Sequence, residues 1–107
     1  MNVWKPRSVD EVPSIEISPF RVVEVSSDYW IGRTRHLIGY DHTNGEGKVS
    51  SAIQSYNKES KEVKTESGRI YVIGINGLDK DAEYVWARWK KMNKITNDVD
   101  VTGDYLE

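Results

Sequence analysis

A helical period occurs only once in this chain. Ala82, Val85, Trp86, Trp89 and Met92 fall on one stripe at the spacing of helical turns, between Asp79 and Asn93. Asp79 is placed to cap the N-terminus, Asp81 and Glu83 follow in the first turn, and Arg88, Lys90 and Lys91 stand near the end. Each sign of charge suits its end of the helix dipole. Two tryptophans on the stripe offer roughly 150 to 250 Å² of surface apiece. A lone helix with so large an apolar stripe has to bury it against something that is not a helix.

The rest of the chain supplies strands. Residues 20–25 are rich in β-branched types, and their apolar phase slips between Val22 and Val23, which predicts a bulge or burial on both faces. Residues 31–40 alternate more cleanly: Thr34, His36, Ile38 and Tyr40 share one face, and Arg33, Arg35 and Leu37 the other. With the arginines toward water, His36 points to the core. Residues 41–47 read as a loop, with Gly45-Glu46-Gly47 only flexible backbone. Residues 48–56 read as one further strand and 61–66 as a short polar one. Ser67-Gly68 makes a tight turn into 69–75, which is apolar on both faces and therefore central. The predicted fold is mainly β (α+β): an antiparallel β-meander or small SH3-like barrel with one C-terminal amphipathic helix packed on it.

At 107 residues one domain is expected. Residues 1–14 read as a flexible arm, with Trp4 as its one large apolar residue; 15–95 form the globular domain; 96–107 form an acidic, disordered tail. Leu106-Glu107 has the form of a purification-tag remnant. The net charge of -2 is uneven, with Asp98, Asp100, Asp104 and Glu107 facing no cation after Lys94, so the middle of the chain is mildly positive. There is no cysteine, which excludes disulfides, cysteine nucleophiles and thiolate metal sites. No apolar run nears the roughly 20 residues of a spanning helix, and no leader is visible, so no membrane association and a cytoplasmic location are expected.

No phosphate loop, dinucleotide fingerprint or metal-ligand pair at helical spacing is present, and neither cofactor nor metal is expected. His36 and His42, near Asp41, Ser50 and Ser51, are the places to look for acid–base chemistry. Neighbours at a strand end do not by themselves give the nucleophile–base geometry that such chemistry needs. Arg69 sits where a hairpin tip would let it clamp an anion. The aromatic surplus is more informative: four tryptophans and six tyrosines in one small domain, with Trp4, Tyr29, Trp30, Tyr56 and Tyr84 off the evident core faces. Aromatics are enriched at interaction surfaces. The leading expectation is a non-enzymatic protein-binding module using Trp4, Tyr29, Trp30, Tyr56 and Arg69, its protein partner unidentified. The alternative is a nucleic-acid-binding module using Arg33, Arg35, Arg88, Lys90, Lys91 and Lys94.

Three segments carry a resemblance: Ser50-Ser51-x-Ile53, Thr65-x-Ser67-Gly68-Arg69-x-Tyr71, and Asp81-Ala82-x-Tyr84-Val85-Trp86-x-x-Trp89. Together they resemble a group of short, uncharacterised bacterial and phage-associated proteins across about residues 34 to 93. The resemblance implies a shared small β fold and a bacterial or phage origin. It implies no activity, cofactor or catalytic residue.

Overall fold

The computed structural model describes residues 14–106. Its spine is one long, bent strand, β1 (Ser14–Ser27), which exchanges partners along its length. Strand β2 (Trp30–Asp41) runs antiparallel beside it from Ile17 to Ser27. On the other side, the first part of β1 pairs in parallel with β6 (Ile70–Ile73), from Ser14↔Ile70 to Ile17↔Ile73. Its last part pairs antiparallel with β7 (Ile95–Asp100), from Val23↔Asp100 to Ser27↔Ile95. The exchange comes just after Ser18-Pro19, a cis peptide. Proline has no N–H to give a ladder, which suits it to this break.

Strands β3 (Glu46–Val49), β4 (Ile53–Asn57) and β5 (Glu62–Thr65) complete the sheet, in the order β3-β2-β1-β6-β5-β4, with β7 on β1. The fold is mostly β with one helix, as the sequence predicts. The sheet is mixed and open, with β3 and β4 unpaired to each other. The parallel β1–β6 pair departs from a simple meander: β2 to β5 lie between the two strands in the chain, and the helix then leads from β6 to β7.

Both faces of the sheet are buried. Ile15, Ile17, Phe20, Val22, Leu37, Val63, Tyr71, Ile73 and Tyr105 form one cluster. Val23, Val25, Ile38, Ala82 and Trp86 form the other, beneath helix α1 (Lys80–Met92). The phase slip at Val22–Val23 is thereby explained: the two residues serve opposite cores. Asp79 caps α1, its carboxylate accepting from the Ala82 N–H at 2.9 Å. Only Ala82 and Trp86 of the helical stripe are buried, and Met92 in the last turn is 70% exposed.

Four expectations need correction. Residues 48–56 are two strands, since the chain turns a corner at Ser50. Its N–H donates to the Leu37 carbonyl, while its hydroxyl accepts from the Leu37 N–H and donates to the Ser51 carbonyl. Gly45-Glu46-Gly47 is not merely flexible: Gly47 lies in β3 against the backbone of Asp81 and Ala82. Leu37 does not share a watery face with the arginines but is fully buried. The tail is ordered as β7 and a 3-10 turn, Thr102–Tyr105, with Tyr105 buried against Tyr56. The domain therefore runs on past 95. Ser14 opens β1, while Trp4, the rest of the proposed arm and Glu107 lie outside the described residues. Among the described residues no helix is long and apolar enough to cross a membrane.

Candidate functional site

The β1–β2 hairpin turns at Asp28-Tyr29, and its ladder then slips. Trp30 pairs with Ser27 and Thr34 with Val25, so Ile31, Gly32 and Arg33 stand opposite Ser26 alone. Gly32 adopts φ +86, the left-handed conformation that glycine accepts at least cost. Bulges of this kind re-aim side chains. Here the bulge turns Ile31 fully into solvent, at 102% relative exposure.

Behind Ile31 lies a cleft of about 470 Å³. Trp30, Thr34 and His36 of β2 form one wall, and Trp89 of α1 forms another. The corner at Ser51-Ala52, Glu66 from the β5–β6 turn and Asn93 at the helix end close the rim. The aromatic walls hold one another in place. His36 and Trp89 centroids are 4.7 Å apart, Trp30 lies 6.3 Å from Trp89, and Trp86 stacks on Trp89 at 5.5 Å and 20°.

The polar groups of the cleft are unequally engaged. His36 Nδ1–H donates to the Ser50 carbonyl at 2.9 Å, which leaves Nε2 to accept from the Thr34 hydroxyl at 2.7 Å. Burial pushes the His36 pKa down and favours the neutral ring; the Ser50 carbonyl and the Glu66 carboxylate oppose this only in part. The Trp30 Nε1–H is buried without a hydrogen-bond partner. Asn93 Nδ2 donates to the Trp89 carbonyl. Glu66 is exposed and, among the described residues, is the one of the lining that carries a formal charge.

A second, shallower groove of about 290 Å³ lies along α1 between Tyr84, Val85, Arg88 and Met92, and it shares Trp89 with the first. Tyr84 is 65% exposed. An apolar band thus runs from the bulge at Ile31 across Trp89 to Tyr84 and Met92.

Of the aromatic residues singled out by sequence, Tyr29 and Trp30 come together at this hairpin, with Tyr29 exposed. Tyr56 does not join them. It packs on Tyr105 and donates its hydroxyl to the Tyr105 carbonyl at 3.1 Å. Arg69 directly precedes β6, is half-buried, and is not among the residues lining the cleft. Ile31, Thr34, Glu66 and Asn93 were not legible as site residues. The one available signal was Gly32, an isolated glycine within a strand pattern.

The cations are split between faces. Arg33 and Arg35 project from β2 on the side opposite His36. Arg35 meets Glu24 at 3.1 Å and Asp104 at 2.9 Å, lies over the Tyr105 ring, and has its pKa raised by these contacts, the Tyr105 hydrogen bond first. Arg33 reaches Glu24 at 3.5 Å. On the helix, Lys90 faces Asp98 at 3.5 Å and the Trp86 ring, and Arg88 lies over Tyr84. Lys91 and Lys94 are exposed at the helix end.

His42 and Asp41 have separate structural tasks. His42 Nε2–H donates to the Ser18 carbonyl at 2.6 Å. The buried Asp41 carboxylate accepts from the Asn44 backbone at 2.8 Å and from its amide at 2.9 Å. Among the described residues no group of three or more histidines and carboxylates is disposed to hold a metal ion. No family model, no curated protein and no solved structure matches the chain.

Proposed function

We propose that the protein is a non-enzymatic binding module that engages a partner protein through the band formed by Tyr29, Trp30 and Ile31 together with Tyr84, Trp89 and Met92. The observation that carries this reading is the bulge that holds Ile31 wholly in solvent at the mouth of an aromatic cleft. Burying such a side chain is worth roughly 1.5 to 3 kcal/mol. A hairpin that forgoes that gain, with Tyr84 and Met92 exposed nearby, has the character of a contact surface. The bulge also interrupts the open edge of β2, which favours recognition by side chains over addition of a further strand. The nucleic-acid reading draws less support, because Arg33 and Arg35 pair with Glu24 and Asp104 on the face away from the helix cations. A cytoplasmic location and a bacterial or phage origin belong to the same proposal.

Photo-crosslinking tests it. A photoreactive residue placed at 29, 31, 84 or 92 should yield one shared adduct in the cells that make the protein. Positions 58 and 59, at the β4–β5 turn, should yield none. Equal labelling from both sets, or none from the first, rejects the reading.

A further inference from the structure

The lining of the cleft beside Ile31 is chemically one-sided. Among the described residues Glu66 supplies its only formal charge, a carboxylate with no ion pair there. Among the described residues no lysine or arginine lines the cleft, and burial favours the neutral form of its one imidazole. The Trp30 and Trp89 indoles form walls, and the π faces of such rings attract cations. The hydrogen-bonding groups left open include the acceptors a cation needs, the Glu66 carboxylate and the Asn93 amide oxygen. Both His36 nitrogens are engaged, the Trp30 N–H is sealed from solvent, and one N–H of the Asn93 amide donates to the Trp89 carbonyl, which leaves its oxygen and its second N–H.

From this charge complementarity we propose that the cleft receives an arginine side chain of the partner protein, an inference that rests on the protein-binding reading above. A guanidinium is planar, stacks on an indole and presents several donors to Glu66 and Asn93. An ammonium carries the same charge but is more strongly hydrated and stacks less well. The source is a protein chain because the apolar band continues past the cleft to Tyr84 and Met92, where residues flanking the arginine would lie.

The experiment titrates the full chain with a capped pentapeptide holding arginine between two leucines, its citrulline counterpart, and ethylguanidinium chloride, read at the Trp30 and Trp89 indole N–H signals. The arginine peptide is expected to shift both signals saturably. Citrulline, which keeps the shape and loses the charge, should bind about tenfold more weakly. Glu66→Gln should weaken the arginine peptide about fivefold, most at low salt, because the pair is exposed. Its unfolding midpoint should barely move near pH 8, where His36 is neutral, since Glu66 makes no ion pair among the described residues. Ethylguanidinium should bind more weakly than the peptide. Equal binding of citrulline, an unaffected Glu66→Gln variant, or no shift with the arginine peptide overturns the assignment. Ethylguanidinium binding as tightly as the peptide overturns the choice of a protein side chain. In any of these cases a persisting crosslink from position 31 shows that a partner still docks and only the cation chemistry is wrong. Loss of that crosslink as well removes both readings.

Discussion

Arg21 on β1 and Glu83 on α1 are joined by two parallel hydrogen bonds, Nε and Nη2 each lying 2.7 Å from a carboxylate oxygen. The guanidinium also covers the Trp86 ring at 5.8 Å and has Asp100 of β7 at 3.7 Å. One side chain thus ties the central strand, the helix and the closing strand. The Glu83 contact raises the Arg21 pKa, so the guanidinium keeps its charge. Glu83→Ala should lower stability by about 1 to 2 kcal/mol, as loss of a partly buried, charge-assisted bidentate pair implies. Combining it with Arg21→Met should cost less than the sum of the two single changes, a coupling that chemical denaturation of the double-mutant cycle will show.

Thr102 tests whether the C-terminal segment is part of the fold. Its hydroxyl accepts from the buried Val22 N–H at 2.9 Å, completing β1 where the β7 ladder has ended. Thr102→Val keeps the shape and orphans that donor, which should cost about 1 to 3 kcal/mol in denaturant unfolding. A dispensable tail would show no change.

Gly47 sets how closely α1 approaches the sheet. A Cβ there would lie 2.4 Å from the Asp81 carbonyl carbon and 2.5 Å from the Ala82 nitrogen, which are backbone and cannot swing aside. Gly47→Ala should destabilise by about 1 to 3 kcal/mol through overpacking. Because the helix carries Trp89, the same variant should perturb the Trp89 indole signal. Gly103→Ala, with nothing within 4 Å, is the matched control and should be near neutral.

His36 makes stability depend on pH. Burial lowers its pKa in the folded state, whereas the unfolded chain titrates near the ordinary value of about 6.5. Below that value the unfolded state binds the proton more readily. The stability contributed by the neutral ring is therefore present above about pH 7 and is lost as the pH falls. Unfolding midpoints measured between pH 8 and 5 should decline on the acid side. His36→Gln should be less stable at pH 8 and should decline less between pH 7 and 5.5; an unchanged slope would assign the effect to other groups.

Local features were legible because local chemistry decides them. The α1 stripe, the Asp79 cap, the Ser67-Gly68 turn, where Gly68 takes φ +88, and the inward His36 all follow from spacing and residue type. Partnerships distant in sequence were not. Ile95–Asp100 shows almost no apolar face, being exposed at every position but Ile95, and reads as a tail. It is a strand because β1, bent away from β6 after Pro19, leaves a free edge that satisfies its backbone. The break at Ser50 is invisible for the same reason, since its hydrogen-bond partner, Leu37, lies on another strand.

The sequence by itself determined the fold class, the one helix and its polarity, and an excess of aromatic side chains over what a small core absorbs. Only the tertiary structure decided which aromatics meet. Trp30, His36, Glu66 and Trp89 come from three separate segments, and the bulge at Gly32, the corner at Ser50 and the seat of α1 on Gly47 bring them to one cleft. Periodicity reports which face of an element is apolar, but the pairing register and the close backbone approaches that set those three contacts are properties of the assembled chain.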